Sequence, residues 1–140
     1  MTTFFSIIDK IYKFFSRSTQ RWDKMKSALN ISLKRESDTR WSARKQAVSA
    51  VCNGIDDLET ILADMSTNRE FSAETRGDAS VLTTAISNFN FLCILNFWND
   101  ILAMINRVQI RLQDPKINFH GASIDLMSLE TGLHSRRETI

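Results

Sequence analysis

Apolar side chains recur every three or four residues along most of this sequence, the spacing that places them on one face of an α-helix. Residues 4–16 show it first, with lysines toward the opposite face. The apolar positions of that stretch are Phe4, Ile7, Ile8, Ile11, Phe14 and Phe15. A shorter stripe in residues 18–30 is formed by Trp22, Met25 and Leu29. The pattern predicts one helix in each stretch.

Four more helices are predicted by the same spacing further along the chain. A long one covers residues 38–65, a weaker one 73–87, the most apolar one 91–112 and the last 122–134. The stripe of the most apolar helix consists of Phe91, Ile94, Leu95, Trp98, Ile101, Leu102, Ile105, Val108 and Leu112. Because this stripe covers a wide arc, we expect that helix to lie at the centre of a bundle.

Polar residues and breakers mark where these helices begin and end. Residues 30–38 read as a loop with a short extended piece at 31–33, and residues 114–121 as a second loop in which Pro115 stops the preceding helix. Candidate N-caps are Ser18 or Thr19, Ser37 or Asp38, and Ser72. Gly54 lies inside the long helix, where glycine costs about 1 kcal/mol relative to alanine. It indicates either close packing by a neighbour or a weak point.

The fold class follows from these elements. One proline and four glycines in 140 residues are too few for the frequent turns of a β-protein. No alternating strand pattern and no internal repeat occurs. We therefore predict an all-α, antiparallel multi-helix domain of about five to six helices without a sheet, with residues 1–140 forming a single domain.

The charge is unevenly distributed. Residues 1–50 hold eleven basic and four acidic side chains, a balance of +7, while residues 51–140 hold seven basic and twelve acidic ones, a balance of −5. A basic half can face an anionic partner such as DNA. Alternatively, the two halves satisfy each other or a partner protein.

The sequence lacks the usual patterns of a catalytic or metal site. Its two histidines and two cysteines show no metal-binding spacing, and no nucleophile motif or glycine-rich phosphate loop occurs. We expect no enzymatic activity, no cofactor, no metal and no small-molecule substrate. Cys52 and Cys93 lie in apolar helical patterns and are expected to be buried free thiols. Together with the absence of a signal peptide and of a clean membrane span, this favours a nuclear or cytoplasmic location.

The stretch SDTRWSARKQA, residues 37–47, pairs an arginine with a tryptophan where a helix begins. With the upstream FFSRSTQRWDKMKSALN and the downstream ETRGDASVLTTAISNFNFLCILNFWNDILAMINRVQIRLQ, it resembles the transposase-derived proteins of the hAT superfamily. The groups it is most similar to are the zinc finger MYM-type protein 1-like proteins and the proteins associated with a TTF-type zinc finger. The resemblance covers nearly the whole chain, and its most specific part is S-D-T-R-W-S-A-R.

The resemblance implies that this region is the all-helical insertion of an RNase-H-like catalytic domain. It also implies a role for Arg40 and Trp41 at a DNA end, where the tryptophan stacks near a flipped base during hairpin formation. Arg44 and Lys45 follow within one turn, so the candidate DNA-binding residues are Arg40, Trp41, Arg44 and Lys45. The alternative for Trp41 is that it packs in the core with Val48 as a helix-end anchor.

Several parts of the hAT pattern are missing from this sequence: the RNase-H-like strands, the catalytic acidic residues, the Cys-x-x-His motif, the zinc finger and the C-terminal dimerisation region. We therefore expect a catalytically inactive fragment of a transposon-derived protein.

Two further interpretations place function on the first helix. If its Phe-Ile stripe is exposed, the chain is a protein-interaction module that self-associates or binds a partner helix. The same stripe with Lys10, Lys13 and Arg17 around it fits a helix on a membrane surface, although a core helix fits better. Membrane binding is accordingly not expected.

Overall fold

The computed structural model describes residues 2–29, 33–35 and 41–138, and within these ranges the chain is helical and contains no strand. Its helices are α1 (Thr2–Ser16), α2 (Thr19–Ala28), α3 (Trp41–Asn53), α4 (Ile55–Thr67), α5 (Ala73–Ile86), α6 (Phe89–Leu112) and α7 (Phe119–Glu138). The all-α prediction is confirmed. These ranges hold seven helices, where the sequence predicted five to six.

Gly54 accounts for the additional helix. It ends α3, with its amide hydrogen-bonded to the carbonyls of Ala50 and Val51, and its own carbonyl accepts the amide of Leu58 in the first turn of α4. The prediction of one helix over residues 38–65 is therefore wrong. The apolar stripe continues in phase across the break, which is why periodicity alone does not reveal it.

Local hydrogen bonds explain most of the other boundaries. The Ser72 hydroxyl accepts the Thr75 amide at 3.1 Å and the Ser18 hydroxyl accepts the Arg21 amide at 3.5 Å, so both predicted caps are confirmed. The last helix begins three residues earlier and ends four residues later than predicted. The predicted caps Ser37 and Asp38 and most of the short extended piece at 31–33 lie outside the described residues.

The core lies where α1 to α5 and α6 as far as Leu102 meet. Its fully buried members include Ile8 and Phe15 of α1, Leu58 and Leu62 of α4, and Leu95 of α6. The Phe-Ile stripe of α1 is therefore interior. The interpretations that placed an exposed docking patch or a membrane-binding face on this helix are wrong, and the core-helix interpretation is confirmed.

Antiparallel neighbours can be recognised from the order of their contacts. The Ser49 hydroxyl of α3 donates to Asn99 Oδ1 of α6 at 2.8 Å, and Cys52 Sγ lies 3.7 Å from Asn96 Oδ1. Residue numbers rise along α3 while they fall along α6, so the two helices run in opposite directions. The same order holds for α6 and α7, where Arg111 pairs with Asp125 and Asp100 with Arg136.

Arg21 connects the three helices α1, α2 and α5. Arg21 of α2 donates to the Phe14 carbonyl of α1 at 3.1 Å and to Thr75 Oγ1 of α5 at 2.9 Å. Its guanidinium carbon also lies 4.7 Å from the centroid of the Phe14 ring. This side chain satisfies Thr75, which is only 4% exposed.

In the described part of the chain, no individual helix combines the length and apolar character that crossing a membrane requires. The pair α5 and α6 meets those two conditions together, with a 71° bend between its helices.

Candidate nucleic-acid interface at the start of α3

The first turns of α3 carry three of the four predicted site residues. Trp41, Arg44, Lys45 and Val48 follow one another at intervals of three, one and three, so they share one side of the helix. Val48 is fully buried, and the neighbouring Ala47 is 1% exposed. These small side chains pack α3 against the core directly after the candidate residues.

Arg44 packs against aromatic rings from two helices. Its guanidinium carbon lies 4.4 Å from the ring centroid of Phe5 in α1 and 5.5 Å from that of Trp41. The Phe5 ring in turn makes an edge contact with Trp98 of α6, with centroids 5.1 Å apart and planes at 63°. These contacts form a row of four side chains, Trp41, Arg44, Phe5 and Trp98, which we call the aromatic row.

Trp41 is the outermost member of the aromatic row and is 45% exposed. Val48, two turns later on the same side of α3, is completely buried. The alternative in which Trp41 packs in the core with Val48 is therefore wrong. The Trp41 ring is therefore half-exposed, with the guanidinium of Arg44 5.5 Å from its centroid.

The other two basic residues of the prediction have different surroundings. Lys45 is half-buried and lies one turn after Trp41. Arg40 lies outside the described residues. Trp41, Arg44 and Lys45 lie on the same side of α3, and Arg44 contacts two aromatic rings there.

Sequence reasoning also missed Phe5 and Trp98. Trp98 lies on a stripe that periodicity assigns to the core, Phe5 lies beside one, and both are half-buried against the core. The usable signal is that Phe5 sits beside the stripe formed by Phe4, Ile8 and Ile11 rather than on its centre.

Apart from the half-buried Lys45, the basic side chains described in the N-terminal half divide into two groups. Four contact partners within the fold: Lys13 with Asp9, Lys24 with Asp64, Arg21 with Phe14 and Thr75, and Arg44 with the aromatic row. Others are exposed: Lys10, Arg17, Lys26, Lys34 and Arg35. The exposed lysines and arginines give this part of the surface a positive potential.

The described residues offer little chemistry beyond binding. They contain no group of three metal-ligating side chains. Burial, with a smaller contribution from the carboxylate of Asp100, raises the pKa of the Cys52 thiol. Cys93 is exposed, contrary to the prediction that both thiols are buried. A raised thiol pKa disfavours the nucleophilic thiolate, so Cys52 has the properties of a packing residue.

Comparison with known proteins adds no assignment, since no protein-family model, no curated protein and no solved structure matches this chain.

Proposed function

We propose that this chain is a transposase-derived, catalytically inactive helical module that binds DNA, with Trp41 stacking on an unpaired base. The observation that carries the proposal is the 45% exposure of Trp41 next to two basic side chains on the same side of α3. A large aromatic side chain in that position loses little by leaving water for a base. Stacking on a protein aromatic contributes about 1–3 kcal/mol per base.

The role of Arg44 in this proposal is to support the indole. Its contacts with Phe5 and Trp41 hold the first turn of α3 against α1. A guanidinium between two rings also keeps its positive charge close to any phosphate that accompanies the stacked base. Lys45 and the exposed lysine and arginine side chains of α1, α2 and the segment 33–35 would contribute the remaining phosphate contacts.

The preferred ligand is single-stranded DNA or the unpaired loop of a DNA hairpin. A base in a continuous duplex is covered on both faces, so it cannot lie on Trp41 without being unstacked at a cost of a few kcal/mol. We therefore expect higher affinity for single strands and hairpin loops than for blunt duplexes of equal length.

A fluorescence anisotropy titration tests this order. The full chain would be titrated into labelled oligothymidine, a hairpin with a thymidine loop, and a blunt duplex, each at a series of salt concentrations. For contacts to about three phosphates on a single strand, the logarithm of affinity should fall with the logarithm of salt with a slope of about −2. Equal affinity for duplex and single strand, or binding that ignores salt, would refute the proposal.

A further inference from the structure

Helix α7 is attached to the rest of the fold through α6 alone. Among the helices described, α7 packs only against α6, and residues 113–118 connect the two. Each of the other helices packs against two or more neighbours. Separating α7 from α6 therefore breaks a single helix–helix interface, whereas displacing any other helix breaks at least two.

The apolar side chains of α7 contribute little to its attachment. The large ones that are mainly in water, each between 52% and 90% exposed, are Phe119, Ile124, Leu126 and Met127. Leu129 and Leu133 are half-buried. The one buried residue of α7 is an acidic one, Asp125. Because burial of apolar surface is the main driving force for helix packing, the interface between α6 and α7 is weak compared with those inside the core.

Asp125 faces α6 with one carboxylate oxygen paired and the other without a partner. Its Oδ1 lies 3.1 Å from Arg111 Nη1, while the buried Oδ2 receives no hydrogen bond from any described residue. The side chain of Asp125 is 5% exposed and that of Arg111 is 67% exposed. A buried carboxylate is costly unless it is paired. The interface therefore tolerates Asp125 only while Arg111 reaches it.

Two further contacts join the helices nearer the C-terminal end of α7. Arg136 Nη1 lies 2.9 Å from Asp100 Oδ2, with the two side chains 50% and 46% exposed. An ion pair in such contact with water stabilises little. One turn earlier in α7, Gly132 allows a close approach to Met104, because a Cβ at residue 132 would lie 3.2 Å from the Met104 sulfur. Glycine also lowers helix propensity, so α7 has little stability of its own.

We propose that α7 is a reversibly docked helix, which leaves α6 as a unit while α1 to α6 stay folded, and that the Arg111–Asp125 pair controls its release. When this pair breaks, the docked form holds a buried carboxylate without a partner, whereas in the released form water solvates it. Segments with few buried apolar contacts open at a lower free energy than the core of the same protein. The proposal does not depend on DNA binding by Trp41.

Release of α7 uncovers one side of α6. A cleft of about 200 Å³ lies between the two helices, and its α6 wall consists of Met104, Arg107, Val108 and Arg111. Met104 and Val108 are half-buried in the docked form. In the released form these two apolar side chains become accessible between two arginines, so α7 acts as a cover over this side of α6.

Hydrogen exchange of the full chain, followed by mass spectrometry of its peptides, tests the proposal. Amides in residues 122–133 of α7 should be protected at least about 100-fold less than those of α4, which holds the fully buried Leu58 and Leu62. Low urea concentrations should change the protection of α7 little, because a local opening exposes little surface. If α7 is protected as strongly as α4, or if both lose protection together as urea rises, α7 belongs to the cooperative core and the proposal is overturned.

Arg111→Ala should accelerate exchange in α7 at least about tenfold and leave α4 unchanged, because it leaves Asp125 buried without its partner. Arg107→Ala is the matched control, since Arg107 lies one turn earlier on the same cleft wall but does not pair with Asp125. It should change exchange in α7 by less than about twofold. Equal acceleration by the two variants, or acceleration of α4 as large as that of α7, would overturn the proposal.

A double variant distinguishes control by the ion pair from a general loss of packing. Adding Asp125→Leu to Arg111→Ala removes the unpaired carboxylate and places an apolar side chain at the buried position. Exchange in α7 should then be no more than about twofold faster than in the wild type, since replacing a buried ion pair by apolar residues is often neutral or stabilising. If the double variant exchanges as fast as Arg111→Ala alone, Asp125 does not control release and the proposed role of the pair is wrong.

Discussion

The guanidinium carbon of Arg44 lies 4.4 Å from the centroid of the Phe5 ring, which joins the start of α3 to the start of α1. This contact assigns a basic residue of the predicted DNA site to the packing of the fold. It also explains why Trp41 can be held in a defined position while 45% of its surface stays in water.

Arg44→Ala should destabilise the fold by about 1–2 kcal/mol, because it removes a cation–π contact and leaves the Phe5 ring partly uncovered. Arg44→Lys should recover only part of this loss, since an ammonium lacks the planar surface that stacks on rings. Urea unfolding followed by circular dichroism measures the difference. Lys45→Ala serves as the control on the same turn, and an equal effect of the two alanine variants would contradict a specific role for Arg44.

Arg21→Ala should destabilise the protein by about 2 kcal/mol, because the side chain donates charged hydrogen bonds to Phe14 and Thr75 on two other helices. Lys26→Ala on the same helix is the matched control, because Lys26 is exposed. It should stay within about 0.5 kcal/mol of the wild type. Thermal and urea unfolding would measure the stabilities of both variants. A destabilisation of less than about 0.5 kcal/mol by Arg21→Ala would show that its hydrogen bonds to Phe14 and Thr75 do not stabilise the fold.

Gly77→Ala should stabilise the protein by about 0.5–1 kcal/mol, because alanine is a better helix former and loses less backbone freedom on folding. Gly77 lies within α5 and is exposed, and a Cβ built there has no atom within 4 Å. Gly132→Ala is the comparison, because its Cβ would lie 3.2 Å from Met104 Sδ. If Gly77→Ala lowers the midpoint of urea unfolding, residue 77 does not occupy an open helical position.

Cys93 should react with iodoacetamide well before Cys52 at neutral pH. Cys93 is exposed, while burial and the charge of Asp100 raise the pKa of Cys52 and so reduce its thiolate fraction. Raising the pH should accelerate the labelling of Cys52. Peptide mass spectrometry over a time course identifies which cysteine is labelled first. Faster labelling of Cys52 would be inconsistent with its position on the side of α3 that packs against α6.

Much of the fold could be predicted from the apolar spacing, since a stripe at helical period specifies both a helix and its buried face. The break at Gly54 could not, because Val51 and Leu58 stay in phase on either side of it. A propensity cost of about 1 kcal/mol is small enough for tertiary packing to decide whether a helix continues.

Apolar spacing does not predict whether the tryptophan of the candidate site is exposed. Periodicity places Trp41 on the same side of α3 as the buried Val48, so it cannot distinguish a core tryptophan from an exposed one. The difference depends on whether another helix extends far enough to cover the first turn. That is a property of how α1 and α6 are placed, which spacing within α3 does not contain.

Stacking by Trp41 is tested most directly by the affinity of Trp41→Ala for labelled oligothymidine, compared with the affinities of the wild type and of Trp22→Phe. Trp22 contacts Tyr12 at a centroid distance of 6.0 Å and packs against the core, which makes Trp22→Phe a control for a tryptophan that does not stack on DNA. Trp41→Ala should weaken binding by about 5- to 150-fold, which corresponds to one stacked base, while Trp22→Phe should leave it nearly unchanged. Equal affinities of Trp41→Ala and the wild type, at matched salt and with matched helicity, would contradict stacking of a base on Trp41.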